Sequence, residues 1–246
     1  MSTTKHTNKK TIAIFGAGPG LGASLATRFG REGHRIALVA RGAAALQERV
    51  AELARAGIEA VAFPADLTKL DGVVALVRSI EQRLGSIDVA VYSPVPSGVS
   101  FVSAVELDAA KLQSIVSLFM LAPIEVTHAV LPGMLARGDG AVIIINGVTA
   151  AIPIPGFSGF GPPMAAVRNY VLTLNPEVLA KGVYAGTVNI GGMIERSAIH
   201  RAATAAGAKP NPHFPLINPD DIAQEIWALV AKRDRAEIFV PPLPSA

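Results

Sequence analysis

The residues of this chain best suited to chemistry are the run Gly16-Ala17-Gly18-Pro19-Gly20-Leu21-Gly22 and, further on, Arg41. Glycines let a backbone turn tightly and come close to a pyrophosphate. A helix starting beside them offers unpaired N–H groups and a partial positive charge. The run follows an apolar segment, Thr11–Phe15, and leads into Leu21, Leu25 and Phe29 at helical spacing. That setting, strand then turn then helix, separates a dinucleotide cradle from an ordinary glycine turn. Arg41 directly follows a second apolar run, Arg35–Ala40, and no acid appears until Glu48. An acid at this place binds the ribose 2′-hydroxyl of NAD(H), whereas an arginine accommodates a 2′-phosphate through charge-assisted, fork-like contacts. NADP(H) is therefore favoured over NAD(H).

Other chemistries are excluded by composition. The chain has no cysteine, which removes disulfides, thiolate catalysis and thiolate metal sites together. His6, His34, His128, His200 and His213 are scattered with no pair at ligand spacing, so no metal is expected. The net charge of +3 owes part of its excess to Lys5, Lys9 and Lys10. The basic residues form no stripe interleaved with aromatics, so nucleic acid is not an expected partner. Residues 1–10 are polar and read as a disordered tail, neither signal peptide nor anchor. The longest apolar stretches, such as Ala141–Ile145, are read as strand-sized, short of the ~20 residues of a bilayer span. A cytoplasmic protein without a membrane partner is the expectation.

These groups need a scaffold. The chain has 246 residues, half of them hydrophobic and 17% charged, enough for a full core in one domain over 11–246. Apolar runs at Thr11–Phe15, Arg35–Ala40, Glu59–Phe63, Asp88–Tyr92, Ala141–Ile145, Val183–Asn189 and Glu237–Val240 alternate with helical stretches. The longest helices are expected over 107–136 and 163–180, with a kink or break at Pro176. Asn218-Pro219-Asp220-Asp221 reads as an N-cap, a proline at the first helical position and acids in the first turn. Strands apolar on both faces, each followed by a helix, specify an α/β fold. We expect a doubly wound Rossmann-type parallel sheet of about seven strands, with helices on both faces in three α/β/α layers.

The spacing Gly16-x-x-x-Gly20-x-Gly22 resembles that of the short-chain dehydrogenase/reductase family, and the resemblance runs over nearly the whole chain. Asp66-Leu67 matches the family's Asp-Leu/Val that contacts adenine. Leu131-Pro132-Gly133-Met134-Leu135 matches its helix-ending segment, Gly140–Ile145 its fifth strand and Lys181-Gly182-Val183 its turn into the sixth. The resemblance implies nucleotide contacts from Gly16, Gly18, Pro19, Gly20, Leu21, Gly22, Arg41, Asp66, Leu67 and Ser93. It also implies hydride exchange with nicotinamide, a substrate segment at about 193–216, and a homo-oligomer, dimer or tetramer, built through the two long helices and the last strand. Three landmarks differ: Phe15 stands for the family's threonine, Tyr92-Ser93-Pro94-Val95 for its Asn-Asn-Ala-Gly, and Ile190-Gly191 for its Pro-Gly.

The family's catalytic set is a Tyr-x-x-x-Lys pair on one helix face, a serine on the reacting oxygen and an upstream asparagine. Here Phe160 falls at the tyrosine, Met164 at the lysine, Gly147 at the serine and Phe119 at the asparagine. No residue is assigned as catalytic. Tyr92, Thr149, Phe160 and Met193 are expected to line the substrate pocket; Asn146, Ser158 and His200 are weaker candidates. Two readings stay open. One is a short-chain oxidoreductase with a degenerate or rewired site for a hydrophobic carbonyl or alcohol. The other is a non-catalytic NADP(H)-binding protein, a sensor or an oligomer partner.

Overall fold

The structure, a computed structural model, describes residues 9–96, 101–209 and 214–243. Lys5, His6, His213 and most of the expected tail at 1–10 lie outside the described residues, as does part of the expected substrate segment. The described chain forms strands β1 (Thr11–Phe15), β2 (Arg35–Ala40), β3 (Ala60–Pro64), β4 (Ile87–Tyr92), β5 (Gly140–Gly147), β6 (Val183–Ile190), β7 (Met193–Ile194), β8 (Leu216–Ile217) and β9 (Glu237–Val240). Its α-helices are α1 (Leu21–Arg31), α2 (Ala43–Arg55), α3 (Val73–Leu84), α4 (Ala109–Val116), α5 (Ala122–Arg137), α6 (Gly161–Leu179), α7 (Ala198–Ala205) and α8 (Pro219–Lys232).

Seven strands form one sheet in the order β3-β2-β1-β4-β5-β6-β9, and every adjacent pair is parallel. Alternation divides β1 between two cores. Ile12 and Ile14 join Leu25, Phe29 and Ile226 on the face of α1, α2 and α8, while Ala13 and Phe15 join Val77, Val126 and Val171 on the face of α3, α5 and α6. This is the three-layer Rossmann-type arrangement expected from strands apolar on both faces. The expected cap holds: the Asn218 side chain accepts from the Asp220 N–H, with Pro219 opening α8.

Two expectations about the long helices are corrected. The stretch expected over 107–136 is interrupted by a π-helical turn, Ser117–Leu121, between α4 and α5. No break occurs at Pro176, because α6 continues unbroken to Leu179. The proline sits so near the helix end that few turns follow the carbonyl it leaves unmatched. The helical run Ala109–Arg137 is 29 residues long with a mean hydropathy of 1.7 over its most apolar window, long and apolar enough by length and composition alone to cross a membrane. A search for uninterrupted apolar runs overlooks it, because polar residues punctuate it. In the fold, Val126, Val130 and Met134 of this run pack on the sheet.

The edge strand β9 is fixed by charge as well as by its ladder. Arg168 on α6 donates twice to Glu237, the second bond at 2.7 Å, and the Asn189 amide donates to the same carboxylate at 2.6 Å. Burial pushes the Glu237 carboxyl up, but the Arg168 and Asn189 hydrogen bonds and the Arg168 charge outweigh it and hold the group below its ordinary value. A lowered carboxyl stabilises the fold fully above pH 4.5, the ordinary glutamate value, and that contribution is lost as pH falls through the lowered value. The side chains are 30% and 18% exposed, between the surface and buried limits for ion pairs. Arg168→Ala is expected to lower stability at neutral pH by about 2 kcal/mol and to flatten the acid limb of the stability profile. Urea unfolding at neutral and acid pH checks both.

Candidate functional site

The sheet order reverses at β1, whose neighbours β2 and β4 continue in opposite directions. A crevice outside the carboxyl ends of the strands at such a point is where open α/β sheets bind ligands. The glycine run lies there. Gly16 has φ +103°, and both its N–H and that of Ala17 donate to the Val39 carbonyl at 2.9 Å. A Cβ on Gly16 would collide with the Ser93–Pro94 backbone, and one on Gly22 would lie 2.7 Å from the Ala17 Cα. One on Gly20 would sit 3.0 Å from the Ser197 backbone, whereas Gly18 has open space. Gly16, Gly20 and Gly22 are thus required by close approach, and the turn leads directly into α1, whose first N–H groups have no partner within the helix.

The other expected nucleotide contacts surround this turn. Arg41 is exposed just past β2. Asp66 Oδ1 accepts from the Thr68 N–H at 3.0 Å and its hydroxyl at 2.8 Å. These two bonds, with smaller help from the Arg41 and Lys69 charges, hold the Asp66 carboxyl below its ordinary range. Leu67 is buried beside it, and a cavity of about 160 Å³ opens between Asp66, Leu67, Lys69 and Val73. The Ser93 N–H donates to the Phe15 carbonyl at 2.7 Å, which seats it against Gly16. Pro19 lies within the same turn.

Sequence reasoning missed a polar tie across the cradle. The Ser24 hydroxyl donates to Asp220 Oδ1 at 2.6 Å, and Arg196 pairs with the other Asp220 oxygen at 2.8 Å while bonding the Asn218 side chain at 3.2 Å. Ser24 is foremost in holding the Asp220 carboxyl below its usual range, with Arg196 assisting. Arg196 adopts φ +62°, a conformation uncommon outside glycine. The tie joins residues far apart in sequence, so no local pattern announces it, although the left-handed backbone is the kind of outlier that marks a constrained loop.

Where the resemblance places proton-transfer groups, the structure has apolar ones. The Phe119 and Phe160 rings meet edge to face, centroids 5.4 Å apart at 77°, and each residue is 8% exposed. Met164 turns its thioether toward β5, where Sδ accepts the Gly147 N–H at 3.3 Å and lies 4.0 Å from the Thr149 hydroxyl. Thr149 is half-buried in the short turn after β5. Tyr92, expected in the pocket wall, is 3% exposed, and its hydroxyl donates to the Leu118 carbonyl at 2.6 Å. Burial pushes that phenol far up, so it is no proton source near neutral pH.

Two of the weaker candidates, Asn146 and His200, have side-chain partners. Asn146 donates to the Thr187 hydroxyl within the sheet, and His200 Nδ1 accepts the Arg196 N–H. Ser158 is joined through its backbone N–H to the Val102 carbonyl. Met193 is half-buried in β7, with its N–H on the Pro215 carbonyl. Among the described residues, no group of three or more His, Asp or Glu could hold a metal ion. Expected effects on stability separate the glycines: Gly22→Ala should lower the melting midpoint by an amount equivalent to about 1–3 kcal/mol, while Gly18→Ala should stay within about 0.5 kcal/mol of wild type. Thermal denaturation of the two variants checks this.

A short chain dehydrogenase profile matches residues 10–205. The 2-(S)-hydroxypropyl-CoM dehydrogenase 3 of Xanthobacter autotrophicus is 27% identical over 230 residues, covering 90% of this chain and 89% of that one. Glycine betaine reductase ATRR of Emericella nidulans is 25% identical over 244 residues, 95% of this chain but 19% of that much longer protein. Among solved structures, a variant of actinorhodin polyketide ketoreductase with NADPH superposes with a TM-score of 0.82 at 22% identity, covering 94% of each chain.

Proposed function

Because the chain belongs to the short chain dehydrogenase family, we propose that it is a short-chain oxidoreductase that binds NADP(H), its reaction centre rewired for a hydrophobic carbonyl or alcohol. The observation that carries this reading is the contrast between two halves of one crevice. The glycine turn keeps the close approaches that a pyrophosphate needs, whereas Phe119, Phe160, Met164 and Gly147 provide no group that transfers a proton. The residues present fit the nucleotide. Leu21 and Gly22 offer N–H groups to the pyrophosphate, Arg41 offers a cation to the 2′-phosphate, and Asp66 and Leu67 frame the adenine. The NADPH in the ketoreductase structure supports a nicotinamide dinucleotide, and Arg41 is the ground for preferring the phosphorylated form.

When bound, the nicotinamide supplies or accepts a hydride. The chain contributes orientation, an apolar enclosure and the Thr149 hydroxyl, with water as the proton source. Loss of a positioned acid or base typically costs ~10²–10⁴ in rate, so turnover is slow. The 11–246 stretch acts as a single dinucleotide-binding domain, and the same proposal includes assembly as a homo-dimer or tetramer. A second reading, a non-catalytic NADP(H)-binding protein, is favoured by the Gly147–Met164 contact and the Phe119–Phe160 pair, which fill the place of the reacting groups with mutually satisfied ones.

NADPH is expected to raise the melting midpoint, by up to about 2.7 kcal/mol of stabilisation at a hundredfold excess over Kd. NADH should do little, and Arg41→Ala should erase the difference; equal shifts in wild type would overturn the Arg41 assignment. Combined Gly147→Ser, Phe160→Tyr and Met164→Lys should raise turnover on a carbonyl panel by about 10²–10⁴. The serine has room, since a Cβ at Gly147 would lie 3.4 Å from Thr149 Oγ1 and 3.6 Å from Met164 Sδ. Wild-type turnover of ~1–10³ per second would sink the slow-site reading, and no turnover in any variant would favour the second.

A further inference from the structure

Five of the nine phenylalanines of this chain converge beside the altered reaction centre, drawn from four separate segments: Phe101, Phe119, the pair Phe157 and Phe160, and Phe214. Phe101 meets Phe157 at 4.8 Å and 60°, and meets Phe160 at 6.1 Å and 77°. Phe157 in turn lies 6.0 Å from Phe214 at 48°. The first segment is tied to the third by the Ser158 N–H on the Val102 carbonyl. These are the edge-to-face and tilted arrangements by which aromatic rings attract one another, positive edge to negative face. The cluster is graded from inside to outside: Phe119 and Phe160 are 8% exposed, whereas Phe101 is 57% exposed. Its inner end connects through Met164, whose N–H donates to the Phe160 carbonyl and whose sulfur accepts the Gly147 N–H and lies 4.0 Å from the Thr149 hydroxyl. A thioether is a weak acceptor, so an incoming oxygen readily displaces it.

We propose that this aromatic wall binds a flat, uncharged aromatic ketone or aldehyde, stacked against Phe101 with its oxygen on the Thr149 hydroxyl. The proposal rests on the reading of this crevice as the substrate end and adds the substrate class to it. Two observations select an aromatic over an aliphatic molecule. Aromatics are only 5% of the chain, yet the wall is phenylalanine where leucine or isoleucine would fill the same space. Phe101, at the outer end, also leaves much of its ring open to a further planar ring. Absence of charge in the ligand follows from the wall, since none of the five rings, Met164 or Thr149 offers a counter-ion. The single hydroxyl sets the number of strong polar contacts at one.

The test is calorimetric titration of the NADPH-mixed protein with 2-acetylnaphthalene, naphthalene and 2-decanone. We expect 2-acetylnaphthalene to bind tightest. Phe101→Leu keeps an apolar side chain at an exposed position where folding is not at stake; it should weaken 2-acetylnaphthalene about three- to tenfold and leave 2-decanone unchanged. Thr149→Val should weaken 2-acetylnaphthalene without changing naphthalene, and Thr149→Ser should restore it. Equal or tighter binding of 2-decanone, indifference to Phe101→Leu, or no binding of either aromatic would overturn the proposal. So would a smaller assembly size on gel filtration caused by Phe101→Leu, which would make the ring part of an interface between copies. The NADPH melting shift measured on the same samples separates the two readings. A shift without naphthyl binding overturns the substrate class alone, and naphthyl binding without a shift supports the wall while overturning the cofactor assignment.

Discussion

Everything at the carboxyl end of this sheet depends on one steric condition, that no side chain stands where β1 leaves the sheet. At Gly16 the backbones of three strands come within hydrogen-bonding reach: Gly16 and Ala17 donate to Val39 at the end of β2, and Ser93 after β4 donates to Phe15. A single Cβ there would overlap Ser93–Pro94. The left-handed φ of Gly16 then aims the chain across the crevice and lets α1 begin close above it. The dinucleotide cradle, the position of Ser93 and the separation of β2 from β4 all follow from that one missing methyl. At the same end of the sheet, past β4, the neighbouring residues are apolar: Met164 rests on Gly147 at the end of β5, and Phe160 meets Phe119.

At that end of β5 the side chains are apolar and partnered with one another. A hydroxyl, an ammonium and an amide buried beside one another need partners, and a half-satisfied polar group in an apolar setting is costly. Here no such group is left half-satisfied: Phe160 meets Phe119, and Met164 takes the Gly147 N–H on its sulfur. A hydrogen bond made in an apolar setting is electrostatically stronger than one in water, which bears on the half-buried Thr149 beside Met164.

Much of this was written in local patterns. Strands apolar on both faces, the glycine spacing and the Asn218-Pro219 cap are short-range signals, and the sheet, the cradle and the start of α8 followed them. Phe160, Met164 and Gly147 drew attention only because the resemblance supplied a frame for them. What could not be read depends on distance in sequence. The Ser24–Asp220–Arg196 tie, the Arg168–Glu237 clamp and the meeting of Phe101 with Phe157 link residues that only the folded chain brings together. The π-helical turn at Ser117–Leu121 was hidden for another reason, since its residues are as compatible with an ordinary helix. Tyr92 illustrates the same limit: its place at a strand end pointed to the crevice, but its hydroxyl went to Leu118.

The order of the strands also governs how the chain is assembled. β1 pairs with β2 soon after both are made, but its other edge stays open until β4 is complete at Tyr92. The sheet then grows only toward β9, whose partner β6 ends at Ile190. A nascent chain emerging from the ribosome would therefore present the unpaired edge of its most apolar strand for tens of residues of synthesis. Exposed parallel edges of this kind close slowly and invite association with other chains. The strand that anchors the nucleotide cradle in the finished protein is the one that must be protected longest while the protein is being made.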